Sequence, residues 1–157
     1  EADAALLLAA PPWPEGWQAH ELAPESIGPV LRPRYPDGDL LRELPAEALC
    51  GEPLLHTASR PQAWSDWARA MGLPPESLQQ TQALPHLYFL LEAAAAGLGV
   101  AIAPQPLVAE DLTAGRLIAP WGFRPTPASW VLCAPGRASD PRLAELANWL
   151  RRELAET

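Results

Sequence analysis

Residues Leu90–Trp121 read LLEAAAAGLGVAIAPQPLVAEDLTAGRLIAPW. An apolar stretch rich in alanine runs into Gly97, which predicts a helix closing at a glycine stop. GVAIA (Gly99–Ala103) follows with no polar residue, the pattern of a strand covered on both faces. Pro106 to Ala114 then predicts a second helix, closed by Gly115. Arg116–Ile118 predicts a short strand. Helix, buried strand and helix in immediate succession are the signature of an α/β layer.

The neighbouring segments extend this pattern. Gln79–Leu84 alternates weakly and predicts a strand, and Pro85 suits the first turn of the Ala-rich helix, which runs to about Ala96. Ala63–Met71 predicts a helix with Trp64, Trp67, Ala68 and Met71 on one face and Gly72 as its stop. Pro53–His56 predicts a brief apolar strand, and Leu44–Leu49 a single helical turn. Further out, Asp3–Leu8 and Ser129–Cys133 predict apolar strands. Ile27–Pro33 predicts a strand whose prolines mark an edge, with His20–Pro24 as a connector before it. Asp140 and Pro141 open a terminal helix with Leu143, Leu146, Ala147, Leu150 and Leu154 in one stripe. Strands alternate with helices from Pro53 onward, so the expected sheet is mostly parallel.

Composition narrows the function. The chain has 157 residues, 48% of them hydrophobic, and carries 19 acidic residues against 11 basic ones, all arginine. A net charge of −8 argues against nucleic-acid binding by this segment, because phosphate contacts need a positive face. No apolar run approaches the roughly 20 residues of a membrane span. Cys50 and Cys133 match no metal spacing and read as buried free thiols. His20, His56 and His86 stand on separate segments without ligand partners at a helical spacing, so neither a metal nor another cofactor is expected. Gly97-Leu98-Gly99 follows a helix and precedes a strand, the reverse of a phosphate-binding turn. No nucleophile elbow or paired-carboxylate arrangement points to catalysis.

One place has a physical reason to bind a ligand. In open α/β sheets ligands lie beyond the carboxyl ends of the strands, where helix N-termini offer free N–H donors. The strand ending at His56 and Thr57 is one such end. The strand leading to Pro85, His86 and a helix start is another, and it suits an anion. His86 reads either as a ligand contact or as a solvated helix-start residue. Trp64 and Trp67 read either as core or as indoles facing a cleft.

The ordered set of segments resembles one family. Leu90–Trp121 resembles the stretch of LysR-type transcriptional regulators in which an Ala-rich helix, a Gly-x-Gly turn, a strand ending in Pro, a helix and Gly-Arg-Leu follow in order. DAALLLAAPPW (Asp3–Trp13) resembles the family's Asp-plus-apolar strand. CGEPLLHTASRPQAWSDWARAMG (Cys50–Gly72) resembles the branch that includes the glycine-cleavage activator and the β-lactamase-inducing regulators. DPRLAELANWLRREL (Asp140–Leu154) resembles the closing helix. The branch often has Ile-Arg-x-Gly where Leu6–Ala9 stand here, and small hydroxyl residues where Pro85 and His86 stand.

The resemblance implies an α/β effector-binding domain of the periplasmic-binding-protein type (type 2), with two lobes joined by two crossover strands. Lobe one would comprise residues 1–24 and 119–157, and lobe two residues 25–118. The first lobe is expected to be short of strands, making this a partial effector domain. The implied ligand-facing residues are Asp3, His56, Thr57, Pro85, His86, Leu87 and Ser129. The implied partners are a small-molecule effector and further copies of the chain, as a homodimer or homotetramer. DNA would be met only through a helix-turn-helix outside this stretch, and no membrane is implied. The implied location is cytoplasmic and the implied role is sensing, not catalysis. A periplasmic solute-binding protein of the same fold is the alternative.

Overall fold

A computed structural model describes residues 4–13, 16–36, 40–78, 81–135 and 141–155. It divides into two compact units, Glu1–Glu25 with Thr126–Thr157 and Ser26–Pro125. Two strands, β2 (Trp17–Val30) and β6 (Arg124–Pro135), run from one unit into the other.

The Ser26–Pro125 unit carries the α/β layer. Its strands are the second half of β2, then β3 (Leu54–Thr57), β4 (Thr81–Leu84) and β5 (Val100–Pro104), in the order β2-β5-β3-β4. β3 is parallel to β4 and to β5, with Leu54 opposite Thr81 and Val100, whereas β2 runs antiparallel to β5, with Ile27 opposite Pro104. The strands that follow Pro53 in this unit, β3, β4 and β5, are thus parallel as expected, and the antiparallel β2 makes the sheet mixed. Helix α1 (Ala63–Ala70) connects β3 to its neighbour β4, and α2 (Leu87–Ala95) connects β4 back past β3 to β5. Right-handed connections running in opposite directions place their helices on opposite faces.

The side chains show that division. Strand residues alternate between faces. Ile27, Leu54, Val100 and Ile102 pack with Trp64, Trp67 and Ala68 of α1. Val30, Leu55, Ala101 and Ala103 pack with Leu90, Leu91 and Ala94 of α2 and with Val108 of α3 (Gln105–Thr113). Alternation thus gives one strand, β5, a side in each of two hydrophobic cores. Both indoles of α1 are core residues, 1% and 0% exposed.

The other unit holds β1 (Ala5–Ala9), most of β6, the first half of β2 and α4 (Pro141–Ala155). β1 is antiparallel to β6, with Leu6 opposite Leu132. Leu22, Leu132 and Ala147 form the core, with Leu143, Leu150 and Leu154 of α4 packed against it. Leu146, expected in the same stripe, is half-exposed instead.

Several boundaries differ from expectation. His20–Pro24 is the middle of β2 and not a connector, and β2 lies between β6 and β5 and not at an edge. Polar and proline residues hide the alternation there. Helix α2 begins at Leu87 with His86 as its extended cap residue, so Pro85 precedes the helix and does not start it. Arg116–Ile118 contributes only one bridge, Leu31 to Ile118. The helical turn near Leu49 is a 3-10 helix, Ala46–Leu49, preceded by another at Leu41–Glu43. Gly72 and Gly97 end α1 and α2 with φ of +77° and +81°, as glycine stops require. Cys133 is buried, but Cys50 is exposed, and its thiol donates to the Ser77 carbonyl at 3.0 Å. Asp140, the expected cap of α4, and Gln79, the expected start of β4, lie outside the described residues.

Candidate functional site

The parallel register of β3 and β4 sets Thr57 beside Leu84, so both chains leave the sheet at the same end. The Ala58 N–H donates to the Leu84 carbonyl at 2.8 Å and holds the two exits together. The turn after β3 is closed by the Arg60 N–H donating to the Thr57 carbonyl at 2.9 Å. The Thr57 and Ser59 hydroxyls lie 3.3 Å apart at the head of this turn.

The exit of β4 leads through Pro85 and His86, both exposed, into α2. His86 is extended, with φ −141° and ψ 154°, and its carbonyl accepts the first helical bond, from the Leu90 N–H at 3.1 Å. Its side chain makes no capping bond, and no acidic residue occupies the first turn. The N–H groups of Leu87, Tyr88 and Phe89 therefore end the helix without a capping side chain, at its positive pole. The His86 ring stands 6.0 Å from Phe89, and Tyr88 meets Phe89 edge-on at 5.6 Å. The Leu87 side chain is half-buried against the core on the α2 side, which leaves its backbone N–H, at the helix start, as its polar group.

His56 has a different role from its neighbour. Alternation sends Thr57 to the α2 side and His56 to the α1 side of β3. The imidazole is 7% exposed, and its Nδ1 has no hydrogen-bond partner among the described residues. Burial pushes the His56 pKa below the usual 6.5, which favours the neutral ring. His56 is thus a buried polar group behind the strand end, and Thr57 is the residue at its surface.

The other expected residues lie elsewhere. Ser129 belongs to the other unit, is buried in β6, and its hydroxyl donates to Glu21 Oε1 at 2.9 Å. Asp3 is outside the described residues. The sequence reading brought Thr57, Pro85, His86 and Leu87 to one end of one sheet and missed Ser59. The signal for Ser59 was a hydroxyl two residues past the strand's last threonine, a position from which Ser closes local turns. A cleft of about 410 Å³ within the same unit is lined by Pro36, Leu40, Leu41, Glu43, Leu44 and Glu52, and not by Thr57 or His86.

Known proteins resemble the chain along nearly its whole length. The family model described as the LysR substrate binding domain matches residues 1–155. The HTH-type transcriptional regulator TrpI of Pseudomonas aeruginosa is 58% identical over 153 residues, covering 98% of this chain and 52% of that protein. The glycine cleavage system transcriptional activator of Escherichia coli K12 is 29% identical over 157 residues, covering 99% of this chain and 50% of that protein. The chain thus spans about half the length of these curated relatives. Among solved structures, the AmpR effector binding domain from Citrobacter freundii superposes with a TM-score of 0.76 at 24% identity, covering 99% of this chain and 76% of that one. The CrgA regulatory domain from Neisseria meningitidis gives 0.62 at 23% identity, covering 97% and 75%.

Proposed function

The chain belongs to the LysR substrate-binding domain family, and from that membership we propose that it is the effector-sensing part of a bacterial DNA-binding regulator. Its fold is the α/β type of the solved effector domains, a type 2 periplasmic-binding-protein-like arrangement. The curated relatives are transcriptional regulators, so a periplasmic solute-binding protein is not the favoured reading.

In this reading a small molecule binds where the parallel strands end, and no bond is made or broken. The observation that carries it is the shared exit of β3 and β4, where the Thr57 and Ser59 hydroxyls stand beside the uncapped start of α2. Thr57 offers a hydroxyl, and the α2 start offers backbone N–H donors suited to a carboxylate or another anion. Pro85 and His86 shape the approach, Leu87 anchors the helix to the core, and His56 supports the strand from behind. Family membership adds Asp3 and Ser129 as candidates, although in this structure the Ser129 hydroxyl is engaged by Glu21. The ligand signals by binding one arrangement of the protein more tightly than another, since equal affinity would shift nothing. The full-length protein would work in the cytoplasm as a homodimer or homotetramer and meet DNA through a separate helix-turn-helix.

A thermal-shift screen against amino acids, nucleobases, aromatic acids and peptidoglycan fragments tests the reading. The expected hit raises the melting temperature, and Thr57→Ala or His86→Ala weakens it about tenfold or more without lowering the unliganded melting point. A hit indifferent to both substitutions would sink the assignment of the site. Failure of the natural full-length protein to bind any operator would sink the regulatory role.

A further inference from the structure

The place where the two long strands leave one unit for the other has an unusual composition. β2 carries Pro24-Glu25 and β6 carries Pro125-Thr126-Pro127. Proline has no N–H, so each of these residues removes a possible rung from the backbone ladder. The division between the units falls at this point, after Glu25 and before Thr126.

Side chains bridge the strands there. The Thr126 hydroxyl donates to Glu25 Oε1 at 2.8 Å, and the same hydroxyl accepts from the Ala128 N–H at 3.1 Å. Glu25 is fully buried, an uncommon position for a carboxyl side chain. A second carboxyl–hydroxyl bond of the same kind, Ser129 to Glu21, lies further along the same strands. Just beyond the division, the Ser26–Pro125 unit is held closely as well. Ile27 is in ladder register with Pro104, and a Cβ on Gly28 would collide with the Gly122 carbonyl.

We propose that the Thr126–Glu25 bond is a latch that replaces the backbone rungs lost to proline and confines bending of the connecting strands to the single steps Glu25–Ser26 and Pro125–Thr126. With the latch closed, the strands are fixed on both sides of those steps. With it open, Pro24 and Pro125–Pro127 leave a longer stretch free to flex. The proposal rests on the fold and the hydrogen bonds, and it stands independently of which effector binds.

The test uses the full chain with spin labels on the exposed native Cys50 and on Arg152→Cys, since Cys133 is buried. Thr126→Val removes the hydroxyl while keeping the shape, and Thr126→Ser keeps the hydroxyl. Thr126→Val is expected to broaden the inter-label distance distribution and to raise amide exchange in residues 20–25 and 128–131 by about tenfold. Thr126→Ser restores both. An unchanged distribution in Thr126→Val overturns the proposal, and so does a Thr126→Ser variant as broad as Thr126→Val. A rise in exchange that extends equally through β3 and α2 also overturns it, because the bond would then contribute general stability and no local control.

Discussion

Trp64 and Trp67 offer a controlled comparison of one buried hydrogen bond. They lie on one helix, are both essentially buried, and meet edge-to-face with ring centroids 6.1 Å apart. They differ in the indole N–H. Trp64 Nε1 donates to the Leu55 carbonyl at 3.0 Å, whereas Trp67 Nε1 has no partner among the described residues. Replacing either by Phe removes the same atoms, so the transfer and cavity terms cancel to first order. Trp64→Phe also strips a partner from a buried carbonyl, costing about 1 kcal/mol or more, while Trp67→Phe removes an unpaired buried donor and recovers a similar amount. Trp64→Phe should therefore be the more damaging by at least about 2 kcal/mol, roughly a thirtyfold difference in the folding equilibrium. In a chain of this size that corresponds to roughly 4–8 °C in melting temperature. Urea and thermal unfolding followed by far-UV circular dichroism avoid the fluorescence change that the substitutions themselves cause. If Trp67→Phe proves as costly as Trp64→Phe, the bond to Leu55 is not what distinguishes the two indoles.

Other outcomes follow from single contacts. His56 has a folded pKa below 6.5, so as the pH falls the unfolded chain takes up its proton first. Its contribution to stability should be complete above pH 6.5 and shrink as the pH drops toward the folded pKa; melting curves between about pH 5 and 8 should show a slope that His56→Gln reduces. Arg116 donates to Glu92 on α2 at 2.9 Å and to Asp111 on α3 at 2.6 Å. Arg116 and Glu92 are exposed and Asp111 is partly buried, so Arg116→Ala should lower the melting point modestly, and by less still in high salt. Gly28→Ala places a methyl group against the Gly122 carbonyl and 2.8 Å from the Phe123 ring. Backbone cannot yield as a flexible side chain can, so a loss of about 1–3 kcal/mol in urea unfolding is expected.

The legible parts of the fold were those with one strong periodicity. VAIA in β5 has no polar residue to confuse it, and AWSDWARA places its tryptophans three apart. The first half of β2 was illegible for the opposite reason, because HELAPE interrupts any alternation with two carboxyl side chains and a proline, whereas its end, Ile27–Val30, was read as a strand. Those groups are tolerated in a strand because Ser129 and Thr126, more than 100 residues away in sequence, donate to Glu21 and Glu25. No local window contains that information. The same holds for the candidate site. Strand ends pointed to Thr57 and His86, but the engagement of Ser129 by Glu21 is visible only once the strands are paired.

The two faces of β5 carry unequal furniture, bulky Val100 and Ile102 on one side and Ala101 and Ala103 on the other. The strand therefore behaves as a partition with a thick side and a thin one, and α2 leans on the thin side. A methyl group added there, as in Ala103→Val, would act as a shim under α2 and tilt the mouth at His86, while the tryptophan room across the wall stayed as it was.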